Sequence, residues 1–207
     1  DKLHAKEPEI ERYSAGAIIF WYNPQDPSDA KVLLCQRAPG GKDDDGTYKK
    51  HSWPYSWEFP GGGHEPKDET ILATARREVK EEVGLHGCFV SSHVYKFTFS
   101  HKGMLMASYV FPMDVREQIQ PQRTWSDVQQ KPVGAKESPI KLRDDEHLDF
   151  CWFSEAQVRN SLPFDGECPQ QGGLTILENK KEIILDFFEK LRNSQLEMNY
   201  QCIDEQA

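Results

Sequence analysis

Three glutamates, Glu78, Glu81 and Glu82, crowd into the stretch GGGHEPKDETILATARREVKEEVGL, residues 61 to 85. On a helix, positions three and four apart share a face, and like charges there destabilise it by about 0.2–0.5 kcal/mol per pair. A bound cation offsets that repulsion. Hard oxygen donors on one arc suit Mg²⁺, which takes a few carboxylates, several waters and phosphate oxygens. The preceding glycines let the backbone approach closely and lend a carbonyl to the same site. The bland alternative is a solvated acidic face, which is what most charge runs are.

A helix with Thr70 as N-cap and Gly84 as left-handed stop positions these acids. Leu72, Ala75, Val79 and Val83 fall on one arc, able to pack on a sheet, and the glutamates fall on the next. Strands are expected at Ser14–Tyr22, Val32–Arg37, Trp57–Phe59, 89–99, 104–113 and Asp149–Phe153. A short helix starts at the Ser154/Gln157 capping box, and a terminal helix spans about 176 to 196. Residues 38–56 and 114–145 read as long loops. The second carries Pro121, Pro132 and Pro139, and its part from Pro121 to Lys141 is expected to be a substrate-selecting lid.

The 207 residues are most simply one domain at 13–198, between an N-terminal extension (1–12) and a tail (199–207). Strands interrupted by helices imply a layered α/β domain. A net charge of −9 argues against tracking a nucleic-acid strand but not against a small phosphate substrate, since a metal inverts the local charge. Five cysteines, odd in number and widely spaced, suggest unpaired thiols in a reducing compartment. Without a membrane-length apolar run, and with no signal-like segment in DKLHAKEPEIERY, the expected location is cytoplasmic.

The spacing carries more than the acids alone. Gly63, Glu69, Arg77, Glu78, Val79, Glu81, Glu82, Gly84 and Leu85 form a nine-position pattern over 23 residues. It resembles the Nudix box at every defining position. The resemblance implies a Nudix-type α/β/α sandwich with a mixed central sheet, cleaving diphosphate linkages with Mg²⁺ or Mn²⁺. It implies Glu78 and Glu82 as principal metal ligands, Glu81 as a direct or water-mediated one, and a carbonyl from Gly62 or Gly63. Arg77 is expected to pair with Glu69 and orient the carboxylates. Relatives supply another carboxylate from a Glu-His pair six residues before a Trp. Here Glu146-His147 precedes Trp152 by that interval, making Glu146 a further ligand or the general base. Glu78, Glu81 and Glu146 all stand as candidates for accepting the attacking water's proton.

Outside the pattern, Arg37, Glu58 and Trp125 are candidate substrate-facing residues. Trp53 and Tyr55 could also stack a base, whereas buried packing is expected of Trp57. His64, His93, His101 and His147 show no zinc spacing. Lys131, Lys136 and Lys141 could meet anions from the lid. The expected substrate is a small diphosphate, with aromatic loops favouring a nucleotide over an inositol pyrophosphate or isoprenoid diphosphate. A non-catalytic Nudix-fold sensor is the competing class. Such modules usually lose box carboxylates, and this chain keeps them all.

Overall fold

The run SAGAIIFWY lies inside strand β1 (Arg12–Asn23), whose centre, Ala15 to Phe20, is buried on both faces. A continuous apolar run is what a strand covered on both sides requires. The computed structural model describes residues 7, 9–42, 46–90, 93–101, 103–134, 139–162, 173–196 and 200–201. After β1 come β2 (Asp26–Arg37), β3 (Gly40–Lys42), β4 (Tyr48–Lys50), β5 (Trp57–Glu58) and β6 (Gly61–Gly63). Helix α1 (Ile71–Val83) precedes β7 (Cys88–Val90), β8 (Tyr95–His101), β9 (Met104–Asp114), β10 (Arg123–Ser126) and β11 (Lys131–Gly134). The chain continues through β12 (His147–Ser154), α2 (Glu155–Arg159), α3 (Glu178–Arg192) and β13 (Tyr200–Gln201).

Among the described residues, eleven strands form one mixed sheet, ordered β11-β10-β12-β2-β1-β9-β7-β13, with β5, β6 and β8 attached to β2, β1 and β9. β1 pairs parallel with β9 and antiparallel with β2. Side chains alternate along both central strands. Ile18, Phe20, Val32 and Leu34 join Ile184, Phe187 and Phe188 of α3 in one core. Ala17, Ile19, Leu33 and Cys35 join Ala75, Val79 and Val83 of α1 in the other. The result is a sheet between helices, the α/β/α arrangement the sequence implies.

Several expectations change. Residues 38–56 contain the β3–β4 hairpin. The strand expected over 89–99 is two, β7 and β8, laid along one partner, β9. The expected lid contains the β10–β11 hairpin, joined to β12 through Thr124 opposite Trp152. Its prolines hid it, but Pro132 lies on the edge strand, where a missing N–H costs no ladder bond. Trp125 belongs to the core, its ring edge-on to Trp57 at 5.6 Å. Ile10 is also buried, so packing starts before residue 13. Lys136 and most of the tail lie outside the described residues. Cys35 and Cys151 are buried free thiols. Cys88 is disulfide-bonded, so the expectation of unpaired thiols does not hold at that position. Among the described residues, no helix is long and apolar enough to cross a membrane.

Candidate metal centre

Local sequence fixes the geometry of α1. The Thr70 hydroxyl accepts the Ala73 N–H at 3.0 Å, and Gly84 ends the helix at φ 70°, a conformation costly for a side-chain-bearing residue. With Ala75, Val79 and Val83 against the sheet, Glu78 and Glu82 point beside β6, which pairs with β1. Gly62 leaves room there for the Glu78 carboxylate. A Cβ at that position would lie 2.6 Å from a Glu78 carboxylate oxygen.

Glu82 is 2 % exposed and accepts the Gly61 N–H at 3.0 Å. Its other close neighbour is His147, whose Nε2 lies 3.1 Å from the same oxygen. Glu82, Glu146 and His147 each offer a ligand atom within 4.8 Å of the others, with Glu146 at the half-exposed side. The segment before β12 is docked onto the end of α1 to achieve this. Lys141 N–H donates to the Val83 carbonyl at 2.9 Å and Arg143 N–H to the Glu82 carbonyl at 3.0 Å. Arg143 also ion-pairs with Glu146 at 3.2 Å.

Arg77 is the organising cation, but its partner differs from the expected one. It grips both oxygens of Asp68 at 3.1 and 3.0 Å and donates to the Gly63 carbonyl at 2.7 Å. It also reaches Glu78 at 2.8 Å and Glu81 at 3.2 Å. Glu69 is exposed, and Asp68 takes the place expected for it. Burial alone would raise the Asp68 pKa; hydrogen bonds from Arg77, the Glu65 N–H and Thr74 hold it down at about 2. Glu81 faces Arg77 and stands outside the Glu82–Glu146–His147 group. The Gly63 carbonyl is likewise turned to Arg77.

The electrostatics test whether a cation fits. Burial, then the Glu82 charge, raise Glu78 to about 7 despite Arg77. Burial also raises Glu82 to about 7, with Glu146 adding to it and His147 opposing. Burial lowers the His147 pKa, but the Glu82 hydrogen bond and charge bring it above its ordinary value. His147 Nδ1 is buried without a hydrogen-bond partner. Carboxylates so placed are costly to ionise unless positive charge arrives, and their oxygens are the donor type Mg²⁺ and Mn²⁺ take. The residues fit a divalent cation. His147 lacks zinc spacing in the sequence, and its adjacency to Glu146 is the signal that points to it.

Of the substrate-facing candidates, Trp125 is core. Glu58 is 3 % exposed between Arg37, at 2.5 Å, and Lys180. Burial alone would raise its pKa; Lys180 and Arg37 hold it at about 2. Glu58 therefore anchors two cations and presents no face to a ligand, while the Arg37 side chain stays 31 % exposed. Lys180, unremarked in the sequence, lines a cavity of about 390 Å³ with Trp53, Phe97, Phe99, Leu177 and the backbone of Gly61 and Gly62.

A family model described as the NUDIX domain matches residues 12–170. Two proteins of Caulobacter vibrioides strains, each named RNA pyrophosphohydrolase, are 30% identical over 133 residues, 62% of this chain and 70% of theirs. Among solved structures, a C. elegans Ap4A hydrolase aligns at 16% identity and TM-score 0.46 over 70% of this chain and 81% of its own. The NUDIX domain of Shewanella oneidensis NrtR, complexed with ADP ribose, aligns at 15% identity and TM-score 0.49 over 86% of this chain and 87% of its own. At such identities and scores, the two structures say nothing about substrate.

Proposed function

This chain belongs to the Nudix hydrolase family, and from that premise we propose that it cleaves the diphosphate linkage of a nucleotide-type substrate with a divalent cation at the α1 carboxylates. Action on pyrophosphate bonds comes with the family; the metal and the nucleotide are the proposal. One observation carries it. The Glu82–Glu146–His147 donor group and Glu78 meet Gly61 and Gly62, which also line the aromatic cavity. A molecule with phosphates at one end and a planar group at the other spans both.

Glu78, Glu82 and Glu146 would hold Mg²⁺ or Mn²⁺, which supplies charge neutralisation and a more acidic water when bound. Arg77 keeps Glu78 oriented, and the Gly61 N–H and His147 do the same for Glu82. Of these three carboxylates, Glu146, at 35 % side-chain exposure, is the one with access to solvent and so the candidate to accept a proton from the attacking water; Glu81 is as exposed but is turned to Arg77. Arg37 extends from Glu58 as a cation toward substrate phosphate. The cavity also carries Ser14, Ser100 and Asn179, polar groups that a base and ribose can use and a prenyl chain cannot. A relative named RNA pyrophosphohydrolase agrees with a nucleotide-bearing substrate.

The test is a substrate panel after chelator treatment: nucleoside triphosphates, nucleotide sugars, an RNA with a 5′-triphosphate, isoprenoid diphosphates and inositol pyrophosphates. Nucleotides are expected to be cleaved fastest, and only with added Mg²⁺ or Mn²⁺. Undiminished turnover in chelator, or a preference for isoprenoid diphosphate, would overturn the reading.

A further inference from the structure

We infer that the turn Trp53–Pro54–Tyr55 is a strained, pre-organised platform, and that Trp53 on it selects substrates bearing a nucleobase. This rests on the nucleotide reading above and adds the residue that enforces it.

The starting observation is backbone strain. Trp53 has φ 52° and Tyr55 φ 67°. Side-chain-bearing residues adopt this left-handed region at a cost, which is higher for bulky ones. The only other described non-glycine cases, Gln130 and Ser194, lie between the strands of a hairpin and just past a helix end, where left-handed residues are usual. Trp53 and Tyr55 instead bracket a proline, whose ring crowds the residue before it and favours extended backbone there. Two such residues persist only if the surroundings over-determine them.

The surroundings do so. Both the N–H and the hydroxyl of Ser56 donate to the Trp53 carbonyl, at 3.3 and 2.8 Å. The Tyr55 N–H donates to the Arg37 carbonyl at 2.9 Å, and its own carbonyl accepts from Gln36 at 3.3 Å. The Arg37 N–H returns a bond to the Ser56 carbonyl at 2.8 Å. Ser56 and Gln36 are themselves buried. The turn is therefore bolted to the end of β2, the strand that also carries Arg37.

The backbone held this way carries a tryptophan. Trp53 remains 39 % exposed and lines the cavity that reaches Gly61 and Gly62. Phe97 and Phe99, stacked on each other at 5.7 Å and 29°, line the same cavity from β8. A part-exposed indole carried on a fixed backbone brings aromatic surface to the cavity wall, which is what stacking a base requires. A highly anionic group gains nothing from it.

The experiment compares kcat/KM for guanosine and adenosine triphosphate with that for inorganic tripolyphosphate, in the full chain with Mg²⁺. Trp53→Ala should lower the nucleotide-to-tripolyphosphate ratio by roughly five- to a hundredfold, mainly through KM, the range for losing one base-stacking contact. Trp53→Phe should recover most of it. Tyr55→Gly, which relieves the strain, should keep or raise Tm while raising nucleotide KM severalfold. A wild-type ratio retained in Trp53→Ala would overturn this inference and leave the nucleotide reading standing. A wild-type enzyme with no preference for nucleotides would overturn both. An unchanged nucleotide KM in Tyr55→Gly would show the strain to be unconnected with selection.

Discussion

A carboxylate that is 2 % exposed and held at about 7 is a poor acid to keep charged without a cation, and Glu82 is in that position. Glu82→Gln keeps an acceptor for the Gly61 N–H but removes the charge. Hydrolysis should drop by about a hundredfold or more while Tm of the metal-free protein holds or rises. Wild-type activity in the variant would count against Glu82 as a ligand. Asp68 allows a finer test. Asp68→Asn loosens Arg77, and through it Glu78, so the rate should fall about 10- to 100-fold, as for other groups that orient metal ligands. Glu69→Gln should leave the rate unaltered. The reverse pattern in side-by-side assays would restore the expectation drawn from the motif. The glutamates were legible because their spacing on a helix has one outcome. Which of the adjacent acids Asp68 and Glu69 turns inward depends on the turn before the helix, and spacing does not encode that.

The acids of α1 also make the helix sensitive to pH. Glu78 and Glu82 hold protons up to about 7 in the folded protein against 4.5 ordinarily. Between those limits the folded state binds more protons than the unfolded one, so these groups lower stability as pH rises. Each unit is worth about 1.4 kcal/mol per group before coupling between them is counted. A divalent cation replaces the protons, so the rise in Tm on adding Mn²⁺ to chelator-treated protein should be larger at pH 7.5 than at pH 5. Equal shifts at both would mean the acids are already ionised. Glu58 and Asp68, held near 2, act in the opposite sense and below this window: they stabilise above their ordinary values and lose that effect in acid. The elements carrying these groups were readable. α1 had its caps and its apolar face, and β1 and β2 had unbroken apolar runs. The β10–β11 hairpin was not, because four-residue strands with a proline give no period to detect.

At the scale of the whole molecule, the β10–β11 hairpin within the segment expected to be a lid is structural. Trp125 packs on Trp57 and Phe153, and Arg123 ties it to β12 through Asp149 at 2.7 Å. Trp125→Ala should therefore cost about 3–5 kcal/mol of unfolding free energy, measurable by denaturant titration, with the folded fraction hydrolysing at a near-normal rate. A loss below 1 kcal/mol joined to altered substrate choice would favour the lid after all. Pairing between segments this distant in sequence was beyond the reach of local patterns. The cavity has a consequence of its own. Its walls come from β1, the turn at Trp53, β8, β9 and the start of α3, whereas the cation donors come from α1 and from the residues that open β12. Among the described residues, Gly61 and Gly62 are the ones that touch both. Descent with modification can therefore exchange one set while the other stands still, and a library randomised at Trp53, Phe97, Phe99 and Asn179 should yield altered specificities far more often than dead enzymes.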